Sequence, residues 1–121
     1  MSEFFARPGV LVRAENAAGL ILTLLLYART GDSWVLFLVL FLTPDISMLG
    51  YLAGPRVGAI VYNAVHAYVL PALLATGGLS AGSHWLVSAS LILFAHIALD
   101  RLLGFGLKYP SGFKDTHIQR L

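Results

Sequence analysis

The sequence predicts an all-α fold: an integral membrane four-helix bundle, up-down-up-down, ending in a short polar C-terminal tail. Three observations predict it. The 121 residues are 58% hydrophobic and only 12% charged, with a mean hydropathy of +0.80, whereas soluble domains carry about 25% charged residues. A chain this short and apolar cannot clothe itself for water, so its surface must face a bilayer. Apolar stretches recur four times, each near the ~20 residues that cross a hydrocarbon core of about 30 Å. The breaks between them, "RTGD", "AGP" and "GGLSAGS", are short and turn-like, which makes successive helices antiparallel neighbours. Buried strands would alternate with a period of two, and the Leu-rich runs do not.

The length suits one membrane domain over residues 1–121. The first span is expected over about residues 10–28, with the uncharged middle "AAGLILTLLLYA". The second, about 33–51, reads "SWVLFLVLFLTPDISMLGY"; Pro44 within it removes a helical hydrogen bond and tends to kink the helix. The third covers about 56–76, "RVGAIVYNAVHAYVLPALLAT", and the fourth about 83–105. Residues 106–121 are too polar to span and carry a turn signal at Pro110-Ser111-Gly112. The start of the chain does not read as a signal peptide, because Glu3 and Pro8 interrupt it and no small-residue cleavage site follows. The mature protein is expected to keep its N-terminus. With no cysteine, disulfides, thiolate metal sites and thiol nucleophiles are excluded, and the redox compartment is left undetermined.

Basic residues set the expected orientation. Arg7, Arg13, Arg56, Arg101, Lys108, Lys114 and Arg120 fall on the side shared by both termini, against Arg29 alone on the other. The positive side is normally cytoplasmic, so both termini are expected in the cytoplasm, with the chain in the cytoplasmic (inner) membrane. Trp34 and Trp85, with His84 beside the latter, mark the outer interface. Anionic headgroups explain the pI near 9.2, and no nucleic-acid partner is expected. The lipid bilayer is the expected partner, and a homo-oligomer is compatible with the sequence.

The polar residues inside the spans gather at one depth. Counting at 1.5 Å per residue from the cytoplasmic ends, Asp45 lies roughly 13 Å in, Asn63 and His66 roughly 10 and 15 Å, and His96 and Asp100 roughly 13 and 7 Å. Glu15 and Asn16 lie one or two turns into the first span. Charged side chains at such depth cost about 2.5–3.5 kcal/mol each on insertion scales, so they point inward and pair. Glu15, Asp45, His66, His96 and Asp100 are therefore expected to face one another. His96 and Asp100, four apart, share a helix face, as do Asn63 and His66, three apart.

Imidazoles and carboxylates are ordinary ligands of zinc, manganese or iron, so Asp45, His66, His96 and Asp100 are candidate ligands of a divalent metal. No established motif such as H-E-x-x-H accompanies them. A bis-histidine haem on His66 and His96 is a second reading, opposed by the carboxylates. A third is a structural network in which these groups satisfy each other and fix helix register. Arg13 and Glu15 can be read as an interfacial pair, and Arg101 as a residue snorkelling to headgroups or pairing with Asp100. Lys108, Lys114 and His117 are expected on the membrane surface, binding anionic lipid. The alternative is a tail folded back as a lid, with His117 as a third imidazole.

The strings "PDISMLGYLAGPRVG", "YNAVHAYVLP" and "HIALDRLLGFGLKYPSGFKDTH" resemble a family of small bacterial integral membrane proteins defined only as a domain of unknown function (DUF4260). The resemblance runs from Arg7 to His117, with Phe105 where the family pattern expects Tyr. It implies four membrane helices and a bacterial origin, and no reaction.

Three function classes follow. One is a metal-dependent hydrolase acting on a lipid or amphiphile, with Asp45, His66, His96 and Asp100 on the metal, Glu15 as general base, and Arg101 or Lys108 holding an anionic headgroup. The next is a structural or accessory protein locked by its polar network. The last is a proton or small-solute conduit, for which the apolar outer half offers few relay groups.

Overall fold

In the computed structural model, residues 5–111 and 116–120 are described. They form helices and turns, with one isolated antiparallel bridge between Lys108 and Thr116. Helix α1 runs Pro8–Thr30, α2 Trp34–Leu42, a 3₁₀ helix Thr43–Ala53, α3 Pro55–His66, α4 Val69–Ala81 and α5 His84–Leu103. Joined end to end, these give four spans long and apolar enough to cross a membrane: Pro8–Thr30, Trp34–Ala53, Pro55–Ala81 and His84–Leu103.

The helix ends follow local chemistry. Pro8 and Pro55 sit at first helical positions, where the missing N–H has no partner to lose. Ser33 caps α2 by accepting from the Val35 N–H at 3.1 Å. Helix α5 closes on Gly104 (φ 99°), with the Phe105 N–H bonded to the Asp100 carbonyl at 2.7 Å.

Two prolines break the middle spans. Thr43 already bonds back to Leu40, and Pro44 then has no N–H for the Phe41 carbonyl. The chain tightens into eleven residues of 3₁₀ helix, far beyond the usual three or four. This segment lies on α3 through small residues: a Cβ on Gly50 would stand 3.0 Å from the Val61 Cβ, and one on Gly58 would stand 2.3 Å from the Tyr51 ring. In the third span, the Pro71 ring would clash with the carbonyl four residues earlier. Ala67 turns extended (φ −90°, ψ 148°) and the helix restarts at Val69. The span expected to stop near Thr76 continues helical through Gly77 and Gly78 to Ala81. Gly78 belongs to an interface rather than a loop, since a Cβ there would meet Leu86 at 2.9 Å.

Helix α5 is central. It buries Ser88, Ala89, Ser90, Ile92, Ala95, His96, Ile97 and Ala98, small residues that let helices approach closely in lipid. The packing is inverted relative to a soluble bundle. On α1 the buried side chains are Asn16, Thr23 and Tyr27, while Ile21, Leu22 and Leu25 are exposed. An apolar outside and a polar inside suit a lipid solvent. At the end bearing Trp34 and Trp85, Asp32 accepts from Ser88 and lies 3.0 Å from His84. Those hydrogen bonds, Ser88 foremost, hold the Asp32 carboxyl below its usual range.

The C-terminal tail is not spread on the surface as expected. It folds back over the end of the bundle, where Thr116 and Ile118 are buried and Lys108 is 5% exposed. Asn63 on α3 ties it down: its Nδ2 donates to the Lys108 carbonyl at 2.7 Å and its Oδ1 accepts from the Lys108 N–H at 2.6 Å. Two hydrogen bonds to one backbone residue offset the loss of hydration that favours a tail in water. Lys114 lies outside the described residues.

Candidate metal centre

Three spans converge where the third span breaks. His66 is the last residue of α3, Asp45 opens the 3₁₀ helix beside Pro44, and His96 and Asp100 lie one turn apart on α5. One ligand atom from each of these four residues lies within 4.8 Å of all the others. The two Nε2 atoms are 3.2 Å apart. His66 Nε2 is 3.8 Å from Asp45 Oδ1 and 3.6 Å from Asp100 Oδ2. His96 Nε2 is 3.4 Å and 3.1 Å from the same oxygens. Ligands about 2.0–2.2 Å from a central ion stand about 3.3–3.6 Å from one another in a tetrahedron. Five of the separations here, 3.1–3.8 Å, bracket that spacing.

The surroundings orient the rings. His66 Nδ1 lies 3.0 Å from the Tyr62 carbonyl, which only accepts, so Nδ1 carries the proton and Nε2 faces the cluster. Tyr62 also stacks on the His66 ring at 3.7 Å. His96 meets the Phe41 ring edge-on at 4.9 Å. Its Nδ1 is buried without a well-formed hydrogen bond, and the polar group beside it is the Phe41 backbone, the carbonyl released by Pro44. Outer-shell carbonyls that fix the free nitrogen's direction are usual around metal-binding imidazoles. The Lys108 ammonium lies over the Tyr62 ring at 4.7 Å. Burial pushes its pKa down, while the Asp100 charge pulls the other way.

Exposure is graded across the cluster. Both imidazoles are 3% exposed, Asp100 20% and Asp45 48%. The open side is a shallow depression beside Asp45, lined by Leu42, Ile46, Leu49 and Leu52.

The expected five-member cluster loses one member. Glu15 does not join the four; it lies exposed on α1, lining a separate groove with Arg101 and His117. The reason lies in rotation about the helix axes. Leu91, Phe94, Ala98 and Arg101 form one face of α5 and border that groove, whereas His96 and Asp100 point from another. Arg101 does not pair with Asp100: its guanidinium lies over the Tyr68 ring at 4.5 Å. His117 is no third imidazole of the cluster, since its Nδ1 accepts from the Leu107 N–H at 2.7 Å. Tyr68 was missed from sequence; its signal was Pro71, whose effect on the residue four earlier places the break beside it. The haem reading fails on space, because rings meeting at 61° with nitrogens 3.2 Å apart leave no slot for a macrocycle.

Fold and cluster together define a small all-helical membrane protein with a buried His/Asp constellation between its spans. A family model described as domain of unknown function (DUF4260) matches residues 9–121, and the chain belongs to that family. No curated protein and no solved structure matches it.

Proposed function

We propose that Asp45, His66, His96 and Asp100 bind one divalent metal ion within the membrane. A single observation supports this most: two imidazole nitrogens and two carboxylate oxygens lie within 4.8 Å of one another, with the His66 proton already committed to the Tyr62 carbonyl. With its proton on Nδ1, His66 offers Nε2 as an acceptor beside two carboxylates, and in a low-dielectric interior these three repel one another unless a cation, or a proton on His96, intervenes. A divalent ion held by two imidazoles and two carboxylates is a Lewis acid for a carbonyl or phosphoryl oxygen. Hydrolysis of a lipid or amphiphile reaching Asp45 from the bilayer is the reaction class this donor set suits. The test is metal analysis of detergent-purified protein, with about one zinc, manganese or iron per chain expected and none sinking the reading. Product release from ester-lipid vesicles is measured on the metal-loaded protein; absence of turnover would end the hydrolytic part alone.

One observation favours a structural reading instead. Lys108 lies near enough to Asp100 to feel its charge. With a proton shared by the histidines, it would neutralise both carboxylates without a metal. Metal-free protein that unfolds more easily when Asp100 is replaced by Asn would support it.

The proposal includes an up-down-up-down crossing with both termini and the cluster's end on the cytoplasmic side, in keeping with the basic residues. The chain has no cysteine, so single substitutions report sidedness. A membrane-impermeant thiol reagent applied to intact cells should label Arg29→Cys and leave Arg56→Cys unlabelled; the reverse pattern would invert the orientation.

A further inference from the structure

A groove of about 670 Å³ runs between α1 and α5, on the side of α5 away from the His/Asp cluster. That volume is typical of small-ligand pockets, roughly 300–1,000 Å³. The groove is polar at one end and, apart from Thr23, whose hydroxyl donates to the Gly19 carbonyl, apolar along the rest. The polar end holds Glu15, Asn16, Tyr68, Arg101 and His117. Toward the other end it is walled by Leu22, Leu26, Leu91 and Phe94, and its floor is Gly19, where an added Cβ would meet nothing within 4 Å. From Val12 to Leu26 the α1 wall is about 21 Å long at 1.5 Å per residue. Half of a hydrocarbon core is about 15 Å, so the groove accommodates a headgroup plus a chain reaching the midplane of one leaflet.

The charges at the polar end are unspent. Among the described residues no carboxylate lies within 4.0 Å of the half-buried Arg101 guanidinium, which lies over the Tyr68 ring. Tyr68 in turn donates to Asn16, fixing the platform. His117 uses Nδ1 for the Leu107 N–H, leaving its Nε2–H as a neutral donor. Burial, and then the Arg101 charge, keep that imidazole below its ordinary pKa. Glu15 supplies one negative charge and Arg101 one positive charge at the mouth.

We propose that this groove binds one zwitterionic phospholipid, its phosphate at Arg101, its ammonium at Glu15, and an acyl chain laid over Gly19 toward Leu26. An anionic headgroup would leave Glu15 opposed by a like charge, and an uncharged one would leave both side chains unanswered. The site does not depend on the metal reading, because cluster and groove occupy different faces of α5.

The experiment extracts the protein from bilayers containing equal phosphatidylethanolamine and phosphatidylglycerol, then counts retained lipid by native mass spectrometry. The wild type should keep about one phosphatidylethanolamine per chain. Gly19→Leu places a side chain on the floor, where its Cβ meets nothing within 4 Å, and should lower retention about tenfold, as should Arg101→Gln through loss of a charge-assisted contact. Glu15→Gln should erase the preference over phosphatidylglycerol. The proposal fails if the wild type retains no lipid, prefers phosphatidylglycerol, buries the groove in a dimer, or matches Gly19→Leu. Metal measured in the same samples should be unchanged by Gly19→Leu, so failure of the lipid site and failure of the metal site are read separately.

Discussion

Replacing His96 by alanine is expected to lower bound metal from one ion per chain to under about a tenth. His96 Nε2 makes the shortest contact to Asp100, 3.1 Å, and stands 3.2 Å from its partner imidazole. Its loss removes one of the four proposed ligands and opens a void in a site 3% exposed. Even changes to outer-shell partners weaken metal sites about 10–100-fold, and loss of a direct ligand should exceed that. Stability must follow. A ligand present at a thousandfold excess over its Kd stabilises the native state by about 4 kcal/mol, which is roughly 10–20 °C in Tm for a chain of this size. Chelator should therefore lower the wild-type Tm by that amount and leave His96→Ala nearly unmoved. His66→Ala should behave alike, and the double variant should lose little more, because on this proposal the two residues act through one ion. Equal chelator sensitivity in wild type and His96→Ala would exclude the shared ion.

Much of this arrangement was legible from the residues. Four spans follow from hydropathy alone, because lipid demands long uncharged helices and leaves few alternatives. The convergence of Asp45, His66, His96 and Asp100 was legible as well, since depth in a membrane can be counted from a helix end and charged groups at depth turn inward. Rotation about each helix was not. Glu15 faces the groove and not the cluster, and only the packing of α1 on α5 decides that. The break at Ala67 carried a signal in Pro71, displaced by four residues from its effect. The tail is a harder case. Its composition argues for water, and the Asn63–Lys108 pairing that overrules it joins residues 45 apart, which no local pattern announces.

That pairing carries the second large expectation. Asn63→Ala removes both hydrogen bonds to Lys108 and strands a backbone N–H and C=O in a site 5% exposed. Each buried group left unpaired costs about 1–3 kcal/mol, so a loss of about 2–6 kcal/mol is expected, enough to free the tail before the bundle unfolds. In the wild type, Lys108 is covered and trypsin should cut slowly after it; in Asn63→Ala the same bond should be cleaved at least tenfold faster. Because the tail also sets the Lys108 ammonium near Asp100, its release removes a positive charge that competes with a bound cation. Asn63→Ala should thus keep its metal, and hold it no more weakly, while losing tail protection. Tail and metal lost together would instead mean that the strap completes the site, and an unchanged rate of cleavage would mean that Asn63 does not hold it.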